Sequence, residues 1–287
     1  MRVNNYEFKR IVEGNGDDLV LVHGSTSDYR TWEKQIGPFS QRFRVTAYSR
    51  RYHWPNEPIA EGEDYSMKQH VEDLQAIIEK SDPPVHLAGH SYGGFICLLL
   101  AIRSPRLLKS LVVSEPPVIT LFVSNRPQPG ELLRLFLSRP GTAWSILKFG
   151  AGAIEPATKL IKAGKTDKSI DVFGKATLGK EAYENLSEAR MNQVRQNLIE
   201  KELTGSGFPG IDKEDLGQVH IPTLLIAGEK SPRLFHHLLD AVDEIMPQTK
   251  KYIVPEASHI SQEDNPEVYN RIVIEFIEKH TTRLDVM

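Results

Sequence analysis

Cysteine is nearly absent from this chain, with Cys97 the single example among 287 residues. One thiol excludes an intramolecular disulfide and argues for a reducing compartment. Its place in the apolar run FICLLLAI (95–102) gives it a buried, structural setting. Long hydrophobic runs are missing as well. That run is among the longest, whereas a membrane-spanning helix needs about 20 apolar residues. The first ten residues, MRVNNYEFKR, carry no apolar leader core. Together these absences predict a cytoplasmic location. A dominant charge is also lacking: 35 Lys and Arg stand against 38 Asp and Glu, a net charge of -3. Neither nucleic acid nor an acidic membrane is therefore an expected partner. With no glycine-rich dinucleotide fingerprint and no cluster of metal-ligand spacing, no cofactor and no metal are implied.

What is present is an ordinary globular composition, 40% hydrophobic and 25% charged. It is organised as an alternation of short β-rich runs and amphipathic segments. DLVLVHG (18–24), FRVTAYS (43–49), PVHLAGH (84–90), LKSLVVSE (108–115), PTLLIAGE (222–229) and TKKYIVPEA (249–257) read as buried strands. Between them, 66–81 begins with a serine cap and sets Val71, Leu74, Ile77 and Ile78 on one face. Residues 231–246 repeat leucines at helical spacing, and 265–280 open with Asn-Pro, a favourable N-cap and N1 pair. This order predicts an α/β fold with a mostly parallel, doubly wound sheet. The alternation stops between 118 and 218, where the patterns are helical. The expected organisation is a core of 1–117 and 219–287 with a helical insertion, 118–218, over the carboxyl edge of the sheet. The insertion's lysines are interspersed with acids and read as a solvated face. Its aromatic stripe, Phe136, Trp144 and Phe149, is a candidate pocket wall.

The stretch VHLAGHSYGGFICLLLAI (85–102) carries the chemistry. A strand runs into Gly89-His90-Ser91-Tyr92-Gly93 and a helix follows at once. Gly-x-Ser-x-Gly in that setting is a nucleophile elbow: small residues two positions either side of the serine let strand and helix approach. Ser91 then sits at a helix N-terminus, where backbone donors favour developing negative charge. On these residues, and on a helical insertion and a late histidine, the chain resembles the α/β-hydrolase family along essentially its whole length. The loop HGST (23–26) matches that family's oxyanion loop. The resemblance assigns the backbone N–H groups of Ser25 and Tyr92 to an oxyanion hole.

Of the ten histidines, His259 in ASHISQEDNP follows the last strand and precedes the last helix, where the family carries its general base. His90 neighbours the nucleophile and is expected to point away from it. His53, in YSRRYHWPNEP (48–58), stands where the family often reads Asp-x-Arg-Gly-x-Gly; its loop is expected to shape the entrance or simply to pack. The acid is displaced. Where the family usually has aspartate, this chain has Ser231, which with Pro232 reads as the cap of the next helix. Glu229 is one alternative. Glu115, in LVVSEPPV, ends a buried strand at the carboxyl edge and is the favoured acid, because a carboxylate there requires a partner. Some family members, including zearalenone-type lactone hydrolases, carry their acid after this strand. The order Ser…Glu…His is preserved.

The resemblance thus implies a serine hydrolase acting on a small to medium, mostly apolar ester or lactone. Ser91, His259 and Glu115 would form its catalytic triad, and a small-molecule substrate its partner. Ser91 argues against epoxide hydrolase and haloalkane dehalogenase chemistry, which need an aspartate nucleophile. Carbon–carbon bond hydrolysis of ring-cleavage products, cofactor-free perhydrolysis and a receptor role on the same fold stay open.

Overall fold

The computed structural model describes residues 1–125 and 127–281. A small antiparallel pair, β1 (Arg2–Val3) and β2 (Tyr6–Glu7), precedes the main sheet. That sheet is built from β3 (Arg10–Glu13), β4 (Asp18–Val22), β5 (Arg44–Tyr48), β6 (Val85–His90), β7 (Leu108–Ser114), β8 (Thr223–Gly228) and β9 (Thr249–Val254). Its seven strands run in the order β3-β5-β4-β6-β7-β8-β9. Every pairing is parallel except β3 with β5. The expected α/β class is therefore the observed one. The N-terminal strands went unread because they are short and partly exposed.

Strand alternation sorts the core onto two faces. Val20, Val22, Leu111, Val113 and Leu225 pack with α2 (Met67–Glu79), α3 (Tyr92–Arg103) and α12 (Arg233–Ile245). Leu19, Leu21, Val112, Leu224 and Ile226 pack against α1 (Glu33–Ser40) and α14 (Pro266–Glu278). The caps read from sequence form: the Ser66 hydroxyl accepts from the Gln69 amide at 3.3 Å, and Asn265 accepts from the Val268 amide at 3.4 Å. One strand differs from expectation. β9 is the sheet edge, with Lys250 and Lys251 exposed, because only β8 pairs with it.

Between β7 and β8 the chain is helical. It runs through α4 (Pro129–Ser138), α5 (Pro140–Phe149), α6 (Glu155–Lys162), α7 (Thr166–Leu178), α8 (Lys180–Glu184), α9 (Glu188–Arg195), α10 (Ile199–Thr204) and α11 (Lys213–Gly217). After β9 comes the single turn α13 (Ser261–Asp264). No helix among the described residues is long and apolar enough to cross a membrane.

The β4–β6–α3 junction tolerates no side chain at two glycines. A Cβ on Gly93 would sit 2.4 Å from both the Val22 and His23 carbonyl oxygens, and one on Gly89 would sit 2.6 Å from Cys97 Sγ. Backbone oxygens cannot yield, so Gly93→Ala is expected to cost about 3 kcal/mol or more in urea unfolding. Gly130→Ala, with open space at its Cβ, should stay within about 0.5 kcal/mol of the parent. Equal midpoints for the two variants would refute this reading of the junction.

Candidate active site

Three strand ends lie side by side and set the geometry. Ser91 follows β6, and its amide donates to the Ser114 carbonyl at the end of β7, at 2.8 Å. Glu115 follows β7, and its amide donates to the Ile226 carbonyl of β8, at 3.1 Å. Both residues hold a left-handed backbone, with φ of 50° at Ser91 and 46° at Glu115. Neither is glycine, so both positions store strain, which tight tertiary packing must hold in place.

The Glu115 side chain is 1% exposed and fully partnered. Its Oε1 accepts from the Gly228 amide at 2.8 Å, and its Oε2 accepts from the Ser231 hydroxyl at 2.7 Å. Oε2 also contacts His259 Nδ1 directly. The structure thus brings Glu115 and His259 together. It leaves Glu229 apart, exposed and accepting from the Glu256 amide at 2.9 Å. Ser231 does not cap the next helix: Pro232 occupies the N-cap position. The hydroxyl instead points inward as a donor to Glu115, because a buried carboxylate demands donors more strongly than an exposed helix end does.

His259 is 2% exposed. The Phe235 ring of α12 lies over it at a centroid distance of 3.9 Å. His90 Nε2–H donates to the His259 carbonyl at 2.8 Å. His90 therefore does not point away from Ser91 as expected; it lines the same pocket as Ser91 and His259. His259 Nε2 is buried and has no hydrogen-bond partner among the described residues.

Burial acts on both members of the carboxyl–imidazole pair. It pushes the Glu115 carboxyl up to about 8, against the downward pull of the Ser231 hydroxyl and the Gly228 amide. It pushes His259 down to about 3, with Asp264 pulling the other way. Desolvation disfavours the charged form of each group, and the two titrate as a unit.

The loop after β4 passes close to the elbow. A Cβ on Gly24 would fall 3.2 Å from Ser91 Cβ and 2.8 Å from His90 Nδ1. Ser25 lines the pocket beside Ser91. Tyr92 is the first residue of α3, where a backbone N–H has no acceptor within the helix. Its ring packs under the Arg50 guanidinium, 4.4 Å away.

The family model described as alpha/beta hydrolase fold matches residues 19–266. The chain belongs to the α/β hydrolase family. Epoxide hydrolase 3 of Xenopus tropicalis is 25% identical over 303 residues, covering 97% of this chain and 77% of the relative. A pimeloyl-[acyl-carrier protein] methyl ester esterase of Aeromonas hydrophila is 24% identical, over 92% of this chain and 96% of its own. Among solved structures, a thermophilic esterase from Thermogutta terrifontis superposes with a TM-score of 0.70 at 18% identity, over 96% of this chain and 95% of its own.

In this α/β hydrolase the pocket at Ser91 is small, about 60 Å³. Ile170 and Phe173 of α7, Val194 of α9 and Ile199 of α10 form its outer wall. The aromatic stripe expected to build that wall does not. Trp144 is 64% exposed and Phe136 is 36% exposed, while Phe149 packs on Phe173 and Phe235 behind the lining. His53 is fully buried and lies outside the pocket, its Nδ1–H donating to the Ser27 carbonyl at 2.8 Å.

The pair's titration gives a pH prediction. An extra proton on Glu115 makes the carboxyl a donor to Nδ1 and moves the imidazole hydrogen to Nε2, so Nε2 can no longer accept a proton. For an uncharged ester, kcat/KM should therefore rise with pH as the pair loses this proton, on a limb that burial sets above the ordinary carboxylate range. Ser231→Ala removes a bond that favours the carboxylate, so that limb should move to higher pH. A limb that stays in place or moves down in Ser231→Ala would sink the assignment.

Proposed function

We propose that this α/β hydrolase is a serine esterase or lactonase working through an acyl-enzyme. Ser91 Oγ attacks the substrate carbonyl while His259 Nε2 takes its proton. Glu115 holds the Nδ1–H tautomer and stabilises the imidazolium. The backbone N–H groups of Ser25 and Tyr92 receive the oxyanion, with the N-terminus of α3 adding a favourable dipole. His259 then returns the proton to the leaving oxygen, and a water activated by the same nitrogen releases the acid.

The observation carrying this reading is the buried Glu115 carboxylate against His259 Nδ1, which leaves Nε2 unpartnered in a pocket that Ser91 lines. The similarity to an esterase of Aeromonas hydrophila agrees with it. The similarity to an epoxide hydrolase does not carry epoxide opening here, since that chemistry needs a carboxylate nucleophile and Ser91 supplies a hydroxyl. The apolar lining suits a short, apolar acyl or lactone ring. A volume of about 60 Å³ holds only a few waters, against the roughly 300 Å³ or more of a drug-sized site. We read the 118–218 insertion as a cap whose movement enlarges this space.

Labelling by a fluorophosphonate probe, together with hydrolysis of short aryl esters and lactones, tests the proposal. Ser91→Ala should abolish labelling, and both Ser91→Ala and His259→Ala should lower kcat/KM by at least about 10³-fold. Ester turnover that survives undiminished in Ser91→Ala would end it.

A further inference from the structure

Behind the oxyanion loop lies a buried charge cluster in which one residue from the inserted helices is decisive. Arg50 is 1% exposed. Its Nη2 donates to the Glu202 Oε1 at 2.7 Å and to the Gly24 carbonyl at 2.9 Å. The other Glu202 oxygen, Oε2, accepts from the Thr26 amide at 3.1 Å. Thr26 holds a left-handed backbone, with φ of 47°. The residue between these two anchored backbone groups is Ser25, whose N–H the proposed mechanism assigns to the oxyanion. His23, His53 and His70 surround Arg50, and burial with the neighbouring guanidinium keeps each well below the ordinary imidazole range. They add no further positive charge, and among the described residues Glu202 is the one carboxylate paired with Arg50.

Glu202 belongs to α10, which also supplies Ile199 to the pocket wall. Tyr65 adds a further tie, its hydroxyl reaching Glu202 Oε1 at 3.2 Å. The same helix that covers the substrate space thus holds the loop that would carry the oxyanion donor. Moving α10 outward withdraws the only side chain among the described residues bound to the Thr26 amide and leaves Arg50 buried without its partner.

We propose that Glu202 is a positioning residue that latches the oxyanion loop, so that Ser25 is set for catalysis only while α10 is seated over the pocket. The proposal rests on the serine-hydrolase reading of Ser91 and Ser25. Its energetic logic is that of oriented donors: a misplacement of about 1 Å at a catalytic group costs roughly 100-fold in rate. A residue that merely stabilised the fold would affect substrate and transition state alike, whereas a latch on the oxyanion donor acts on the transition state.

The test compares wild type with Glu202→Gln, using a short aryl ester, an arylboronate as tetrahedral mimic and the product carboxylate as ground-state ligand. The latch predicts that kcat falls by about 100-fold with KM changed less than about twofold. Boronate affinity falls in step with kcat, while affinity for the carboxylate product is kept. Hydrogen exchange at the Thr26 amide should quicken in the variant. Wild-type kcat and boronate affinity in Glu202→Gln would overturn the proposal, as would equal losses for boronate and product that track a lowered Tm. Absence of ester turnover and boronate binding in the wild type would defeat the hydrolase reading instead. In that event Thr26 exchange still decides the latch, and unchanged protection in Glu202→Gln refutes it. If Glu202→Gln does not fold, Glu202→Asp, which keeps the charge near Arg50 and shortens the reach to the Thr26 amide, serves the same comparison.

Discussion

The structure turns on one buried carboxylate. Glu115 sits at the end of a central strand, 1% exposed, with φ of 46°. An ionised carboxylate in that setting is costly by several kcal/mol unless each oxygen is satisfied. The chain satisfies them from three places: the Gly228 amide, the Ser231 hydroxyl and His259 Nδ1. Those contacts tie the ends of β7 and β8 to the loop after β9, and they fix the imidazole orientation. The strand register does the rest, because the Ser91 and Glu115 amides bond to the ends of neighbouring strands. The serine and the acid are thus placed by the sheet, and the imidazole by its contact with the acid.

The placement of Glu115 also explains Ser231. That position holds a donor that serves a carboxylate arriving from the adjacent strand. A second carboxylate at 231 beside a charged Glu115 would repel it, and an apolar residue would leave one lone pair of Oε2 unmatched. Serine is small enough to admit the Glu115 side chain and polar enough to bind it.

The local part of this arrangement was legible in the sequence. Gly89 and Gly93 flank Ser91 at spacings that only close strand–helix packing requires, and the contacts at their missing Cβ positions give the reason. His259 and Glu115 were legible because both follow strands whose ends must meet. What the sequence did not disclose depends on partners distant along the chain. Phe235 over His259, His90 on the His259 carbonyl and Glu202 on Thr26 join segments separated by long stretches of sequence. None has a local signature: Phe235 is one of several apolar residues of α12, and Glu202 one of several acids in the inserted helices. The aromatic stripe misled for the related reason that helical spacing shows which residues share a face, not what that face meets. Trp144 meets solvent.

The central claim is that Glu115 has taken over the role of the family's later acid, and a relocation can be reversed. The Ser231 hydroxyl is 2.7 Å from Glu115 Oε2, so an aspartate at 231 would place its carboxylate near the same imidazole nitrogen. The decisive measurement is kcat/KM for a short aryl ester in Glu115→Gln and in Glu115→Gln/Ser231→Asp, each checked for folding. The account predicts a loss of at least about 10³-fold in the single variant and recovery of at least tenfold, about 1.4 kcal/mol of transition-state stabilisation, in the double. Full activity in Glu115→Gln, with loss in Glu229→Gln, would contradict it.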